Sequence, residues 1–388
     1  MTTNKFNDLK KLGMYLHIPF CLRKCFYCDF YSVAGCDEIT YLKYTEALKK
    51  EIAFFGEKMG SRYFVDTIFI GGGTPSILPA KCIEEILNEV RKYFYISSDA
   101  EISMECNPAT LTEEKLRIYR QAGLNRLSLG AQSFDDKILS SMGRVHRSSE
   151  IVKSYGLARK AGFDNINLDV MFGVPGHEMA QWKETVNTLL KLRPEHISFY
   201  SLELAEDTPF YDMFAAGKLV ETAPELDREM YHWLLGEMKK AGYVHYEISN
   251  GALPGYECRH NLKYWNLDEY LGIGPSAHSY AGGYRFSQPA DLGKYIEEAG
   301  CGCIDYYEKN ELQDDITDFM FTALRKTGGI EMADFEGRFG MKLWDMYKNC
   351  KSQFDDFKSE GLVYDDGKTI GITEKGMDVA SRIIEIFV

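Results

Sequence analysis

Six short runs rich in β-branched and aromatic residues recur through the first two hundred residues, each separated from the next by a stretch of helical character. They are MYLHI (14–18), FVDTIFI (64–70), EISMEC (101–106), NRLSLG (125–130), NINLDVMFG (165–173) and HISFYSL (196–202). The intervening stretch 79–93 places Ile83, Ile86, Leu87 and Val90 on one helical face. Gly123 and Gly162 end helices shortly before strands, and Asp164 and Asn165 mark a strand entry. Strand–helix alternation of this kind predicts a parallel sheet with right-handed crossovers. Six units fall short of the eight that close a barrel, so the expected fold is α/β, a (β/α)6 partial TIM-like barrel.

The texture changes near residue 305. Helices are expected at 314–326, 331–338 and 342–359, followed by LVYDDGKTIGI, in which Asp366-Gly367 reads as a hairpin turn. Helices followed by a hairpin resemble a winged-helix module, a smaller C-terminal α+β domain. The expected division is 1–245 for the barrel, 246–305 for a connecting segment and 306–388 for the C-terminal domain. Residues 310–388 carry 10 Lys and Arg against 16 Asp and Glu, a balance of −6 that opposes phosphate binding. A packing or partner-docking role follows instead.

In open α/β folds ligands gather at the carboxyl ends of the strands. Here those ends carry unusual chemistry. After the first strand come Cys21, Cys25 and Cys28, spaced C-x3-C-x2-C. Three thiolates on one short loop can hold three corners of a four-iron cubane, leaving one iron open, whereas electron-transfer clusters usually take four cysteines. A Cys3His zinc site with His17 is the competing reading. Zinc loops favour two-residue gaps and two separated segments, and His17 lies within a strand. After the second strand comes GGGTP (71–75), whose glycines let main-chain groups approach a ligand. It is neither a dinucleotide fingerprint nor a P-loop. Glu105, Gln132, Arg144 and Asp169 stand at or beyond later strand ends. A carboxylate there can accept hydrogen bonds from a ribose diol, and Arg144 can grip a carboxylate in a bidentate fork. An internal Arg144–Asp169 ion pair is the alternative.

Composition excludes several classes. A net charge of −13 argues against broad nucleic-acid or anionic-membrane binding. The first thirteen residues carry no secretion-signal pattern, and no apolar run approaches the length of a membrane span. Ten cysteines in a chain of 388 residues show no disulfide framework, which fits a reducing, cytoplasmic compartment. Cys36, Cys82, Cys106, Cys301, Cys303 and Cys350 read as ordinary thiols.

The segments YLHIPFCLRKCFYC, GGGTP, ECNP, LSLGAQSF, NLDVMFGVPG, CRHNLKYW and YLGIGPSAHSY together resemble the radical S-adenosylmethionine (SAM) superfamily, in its coproporphyrinogen-oxidase branch. The resemblance covers most of residues 14–280. It implies a [4Fe–4S] cluster on Cys21, Cys25 and Cys28, with SAM chelated at the open iron. Tyr15, Gly72, Gly73, Thr74 and Glu105 would line the SAM site, with Tyr27 near the adenine. Gln132, Arg144 and Asp169 match positions of a second SAM.

Two departures separate the chain from the decarboxylating oxidases. Their fourth cysteine, two residues after the third, is replaced here by Phe30, and where they carry a longer N-terminal extension this sequence is expected to reach its first strand by residue 14. Both features look instead like the heme chaperone family, HemW. HNLKYW (260–265) is similar to that family's H-N-x-x-Y-W motif, linked to heme. His260 would supply an imidazole for iron, and Tyr264 and Trp265 flat faces for a porphyrin. Cys258 is a weaker axial candidate. The implied function is binding heme as cargo and delivering it to an apo-hemoprotein, with the cluster and SAM serving structure, homodimerisation or release. The alternative is an oxygen-independent coproporphyrinogen III oxidase or another radical SAM enzyme acting on a porphyrin, so enzymatic turnover stays open at this point. Either reading calls for a one-electron donor.

Overall fold

The computed structural model describes residues 9–298 and 304–388; Cys301 and Cys303 lie outside them. The six runs form the strands Lys10–Ile18, Tyr63–Gly72, Tyr95–Cys106, Arg126–Gln132, Ile166–Phe172 and His196–Ser201. They pair in that order, all parallel. Most of their side chains are buried, as expected of a sheet covered by crossover helices. The Ala80–Tyr93 helix buries Ile83, Ile86, Leu87 and Val90 completely. Gly123 and Gly162 adopt φ of 96° and 86°, the left-handed conformation that ends a helix at little cost to glycine.

The sheet does not stop at six strands. Tyr270–Ile273 adds a further parallel strand beside Lys10–Ile18, and His278–Ala281, Tyr284–Ser287 and Tyr306–Lys309 extend that flank antiparallel. On the other flank Asn250–Ala252 and Val244–Glu247 add antiparallel strands. Among the described residues the sheet has twelve strands. Residues 246–305 therefore supply strands to both edges of the barrel sheet. Within them the short helix Arg259–Trp265 packs against the Tyr63–Gly72 strand.

A second apolar cluster, built on Phe319, Phe335, Phe354, Phe357, Ile370 and Ile383, organises the C-terminal residues. The helices Leu312–Ala323 and Met332–Phe339 lie near their expected positions. Val363–Asp365 and Thr369–Ile372 form the expected hairpin, and Ile330–Glu331 adds a third strand. Asp366 accepts from the amides of Lys368 and Thr369 and closes the turn. One expectation is corrected. The stretch 342–359 is not one helix but two, Leu343–Met346 and Lys351–Ser359. The break lets Trp344 pack edge-to-face on Phe354 with centroids 4.9 Å apart. On a continuous helix residues ten apart stand about 15 Å apart along the axis. Among the described residues no helix is long and apolar enough to cross a membrane.

Candidate functional site

Each strand-end loop turns toward one cavity of about 620 Å³. The cysteine loop is held by main-chain bonds to distant segments. Phe26 N donates to Met142 O (3.1 Å), and Phe210 N donates to Phe26 O (2.9 Å). Arg23 Nη2 donates to Gly143 O at 2.7 Å. Cys21, Cys25 and Cys28 are free thiols, partly exposed, and all three line the cavity. Burial pushes the Cys28 thiol up to about 11.

The glycine turn folds beneath this loop. Gly72 has φ of 109°, and a Cβ there would meet the His17 imidazole at 2.7 Å. A Cβ on Gly73 would meet Phe20 O at 2.6 Å. Only glycine permits this approach of turn to cysteine loop, which Thr74 N completes by donating to Phe20 O at 2.7 Å. Thr74 Oγ1 lies 3.6 Å from Cys21 Sγ.

Glu105 accepts from Gly72 N at 3.1 Å. Burial, with the neighbouring Asp169 charge added, pushes its carboxyl up to about 8. Asp169 is also raised by burial, against bonds donated by Asn167 and Ser128. Arg144 does not pair with Asp169. Its Nη2 donates to Gly130 O (2.8 Å) and its Nη1 reaches Cys25 Sγ (3.4 Å). Arg144 Nε and Gln132 Oε1 are buried without a partner although both residues line the cavity. Gln132 holds φ of 66°, uncommon for a non-glycine residue.

These features fit the implied cofactors. One loop offers three unpaired sulfurs, and the adjoining cavity offers glycine main chain, two carboxyls and two orphaned polar atoms. The zinc alternative loses its fourth ligand. His17 Nδ1 accepts from Tyr15 OH (3.1 Å) and Nε2 donates to Tyr31 O (2.9 Å), so neither nitrogen is left for the cysteines. Among the described residues no three His, Cys, Asp or Glu side chains converge as a single-ion site.

Tyr27, Gly72, Gly73, Thr74, Glu105, Gln132, Arg144 and Asp169 all reach the cavity wall. Tyr15 does not line it. Its ring stacks near Phe69 (6.3 Å, 25°), and its hydroxyl is spent on His17. Met171, Phe199, Tyr200, Arg228, Tyr231 and Met377 form the far wall and were not anticipated. Tyr200 was accessible to the strand-end rule, since it closes the sixth strand. Arg228 and Met377 come from a helix and from the C-terminal unit, and local sequence carries no sign of them. Met377 is buried in the C-terminal apolar cluster, and its neighbour Asp378 meets His232 Nε2 at 2.8 Å and Arg228 Nη1 at 3.5 Å.

His260, Tyr264 and Trp265 lie outside this cavity. His260 is buried, with its ring stacked on Phe69 at 5.4 Å. Its Nδ1 is 2.9 Å from Thr67 Oγ1 and its Nε2 2.9 Å from Tyr264 OH. Burial and the nearby Lys263 push its pKa down to about 3, so the imidazole is neutral. Both ring nitrogens are thus engaged. The amides of Arg259 and His260 donate to Glu101 (3.2 and 3.1 Å), which caps the helix. Cys258 is fully buried, its Sγ 3.6 Å from Glu101 Oε1, and burial pushes the thiol up to about 12. Trp265 lies under the Arg325 guanidinium at 5.6 Å.

The radical SAM superfamily pattern matches residues 15–189, and that of the HemN C-terminal domain residues 311–379. The chain is 36% identical to heme chaperone HemW of Bacillus subtilis over 378 residues, 96% of this chain and 98% of that protein. It is 33% identical to heme chaperone HemW of Lactococcus lactis over 97% of each. Among solved structures it is similar to coproporphyrinogen III oxidase (HemN) from Escherichia coli. There the TM-score is 0.86 and the identity 22%, covering 99% of this chain and 91% of that one. At that identity the likeness speaks for the fold.

Proposed function

We propose that this chain, which belongs to the radical SAM superfamily and, within it, to the HemW family, is a heme-binding chaperone. It carries a [4Fe–4S] cluster and SAM in the strand-end cavity and hands heme to an apo-protein. The observation that carries this reading is near full-length similarity to HemW joined to a cavity where three thiols meet a glycine turn and two carboxyls.

Cys21, Cys25 and Cys28 would hold the cluster, whose chemistry is one-electron reduction of a ligand at an iron open to it. Gly72, Gly73 and Thr74 offer main-chain groups to SAM, Glu105 and Asp169 accept from its donors, and Gln132 and Arg144 offer their free polar atoms. Tyr27 supplies a flat face for an adenine. His260 takes heme iron through Nε2 once Tyr264 releases it, with Tyr264 and Trp265 flanking the ring. An external one-electron donor, a homodimer and a reducing cytoplasm complete the reading.

The test is an anaerobic heme titration of reconstituted protein, followed by transfer to an apo-acceptor with and without SAM. A Soret band and transfer are expected. Conversion of coproporphyrinogen III to protoporphyrinogen by the same preparation with SAM and a reductant, read as fluorescent protoporphyrin after oxidative work-up, would overturn the chaperone reading in favour of the oxidase. His260→Ala should weaken heme binding about tenfold or more, the loss of one coordinate bond's worth of affinity, while SAM affinity holds. Heme affinity equal to the parent's would remove His260 from the site.

A pH dependence follows from Glu105. With its pKa raised to about 8 by burial, it is largely protonated at neutral pH. A ligand donating hydrogen bonds to the carboxylate favours the ionised form, so binding releases a proton. SAM affinity should therefore rise from pH 6.5 to about 8 and then level, and Glu105→Gln should remove that rise. An unchanged profile in Glu105→Gln would exclude Glu105 from the SAM contacts.

A further inference from the structure

A continuous path of hydrogen bonds runs from the cavity wall to the helix carrying HNLKYW. It starts at Asp169, which accepts from Ser128 Oγ (3.2 Å) and from Asn167 Nδ2 (2.8 Å). Asn167 Oδ1 is 2.7 Å from His196 Nδ1, and His196 Nε2 is 2.7 Å from Tyr246 OH. Tyr246 OH in turn accepts from Cys258 N at 3.2 Å, and Cys258 is the residue on which the Arg259–Trp265 helix begins.

The donor directions agree along the whole path. Asn167 spends its amide hydrogens on Ser128 and Asp169, so its oxygen can only accept, and His196 must carry its proton on Nδ1. His196 Nε2 is then an acceptor, which obliges Tyr246 to donate to it and leaves the phenol oxygen free for Cys258 N. Burial keeps His196 neutral, as this tautomer requires. His196 and Asn167 are almost fully buried, and Tyr246 nearly so. A bond broken in the middle has no water to replace it, so each link is sensitive to the next.

The far end of the path is the start of the helix that carries His260. In the structure His260 Nε2 is engaged by Tyr264, and heme ligation as proposed above requires it to swing free. The near end is a carboxyl that a ligand can ionise more fully. An ionised Asp169 accepts more strongly from Asn167, and the tightening passes along the path to Cys258. We propose that Asn167, His196 and Tyr246 are positioning residues that couple SAM occupancy at Asp169 to the HNLKYW helix, so that bound SAM holds the helix closed and disfavours heme. The proposal rests on the function proposed above, and deepens it by assigning SAM the part of a gate on cargo. Because coupling of binding sites is reciprocal, heme must lower SAM affinity by the same factor.

The test is hydrogen exchange on reconstituted full-length protein, read at the amides of residues 259–265 with and without saturating SAM, beside heme titrations under the same two conditions. In the parent protein SAM should slow exchange of the Arg259 and His260 amides and weaken heme binding, each by about fivefold or more. Tyr246→Phe removes the phenol hydroxyl that joins His196 to Cys258, and both effects should fall to a factor near one while SAM still binds. His196→Phe breaks the path one link earlier and should behave alike, which covers the case in which the tyrosine variant does not fold. Unchanged coupling in either folded variant, or SAM binding that leaves exchange of the helix unaltered in the parent, overturns the proposal. A protein that binds no SAM at all overturns the functional reading as well, so the two failures are told apart.

Discussion

Replacing Cys21 with alanine should reduce iron and acid-labile sulfide in anaerobically reconstituted protein from about four of each per chain to below one, with loss of the broad visible absorbance. The same should hold for Cys25→Ala and Cys28→Ala, because a cubane held by three protein sulfurs has no spare anchor. Cys36→Ala is the control. Cys36 is also a free, partly exposed thiol, but it does not line the cavity, and its loss should leave the iron in place. Metal analysis by mass spectrometry settles the matter. Parental iron in Cys21→Ala, or zinc in the parent, would remove the basis of the cofactor assignment.

Lys263→Ala should lower the free energy of unfolding by about 3–5 kcal/mol, the typical cost of removing one partner from a buried ion pair. Lys263 Nζ lies 2.7 Å from Asp66 Oδ1, with the side chains only 6% and 9% exposed. The lysine stem passes over Gly13, where a Cβ would meet Lys263 Cδ at 2.6 Å. The pair therefore ties the HNLKYW helix to the first and second strands. Chemical denaturation of Lys263→Ala, Asp66→Ala and the double variant measures the effect. The double variant should recover part of the loss, since it leaves no buried charge alone. A single-variant loss below about 1 kcal/mol would show that water reaches Asp66 and that the helix is not anchored there.

The six barrel strands were legible because each is a compact apolar run bounded by turn residues, and a run buried on both faces needs no partner to declare itself. The flanking strands were not. Asn250–Ala252 and Val244–Glu247 are short, and only the pairing of the first with His196–Ser201 and of the second with the first makes them strands. Burial on both faces also hid the side of the sheet to which a residue belongs. Tyr15 was placed at the SAM site by resemblance, yet its side chain turns toward Phe69 and His17. The strand-end rule pointed to the cysteine loop, the glycine turn, Glu105, Gln132, Arg144 and Asp169 of the cavity wall, because parallel strands bring their carboxyl ends together whatever their spacing in sequence. Met377 and Arg228 escaped it, since one comes from the C-terminal residues and the other from a helix rather than from a strand end. For HNLKYW, resemblance named groups expected to meet a heme. Their enclosure by Thr67 and Glu101, from two different strands, is a property of the assembled sheet alone.

The contact of Asp378 with His232 and Arg228 has a consequence for how such proteins are shortened or recombined. Because Met377 lines the cavity from the C-terminal residues, a barrel cut before residue 306 would lose that part of the wall, however well it kept its strands. Chimeras between relatives would need to inherit their tails with matching rims. The histidine–aspartate clasp at that rim marks the junction such an exchange must respect.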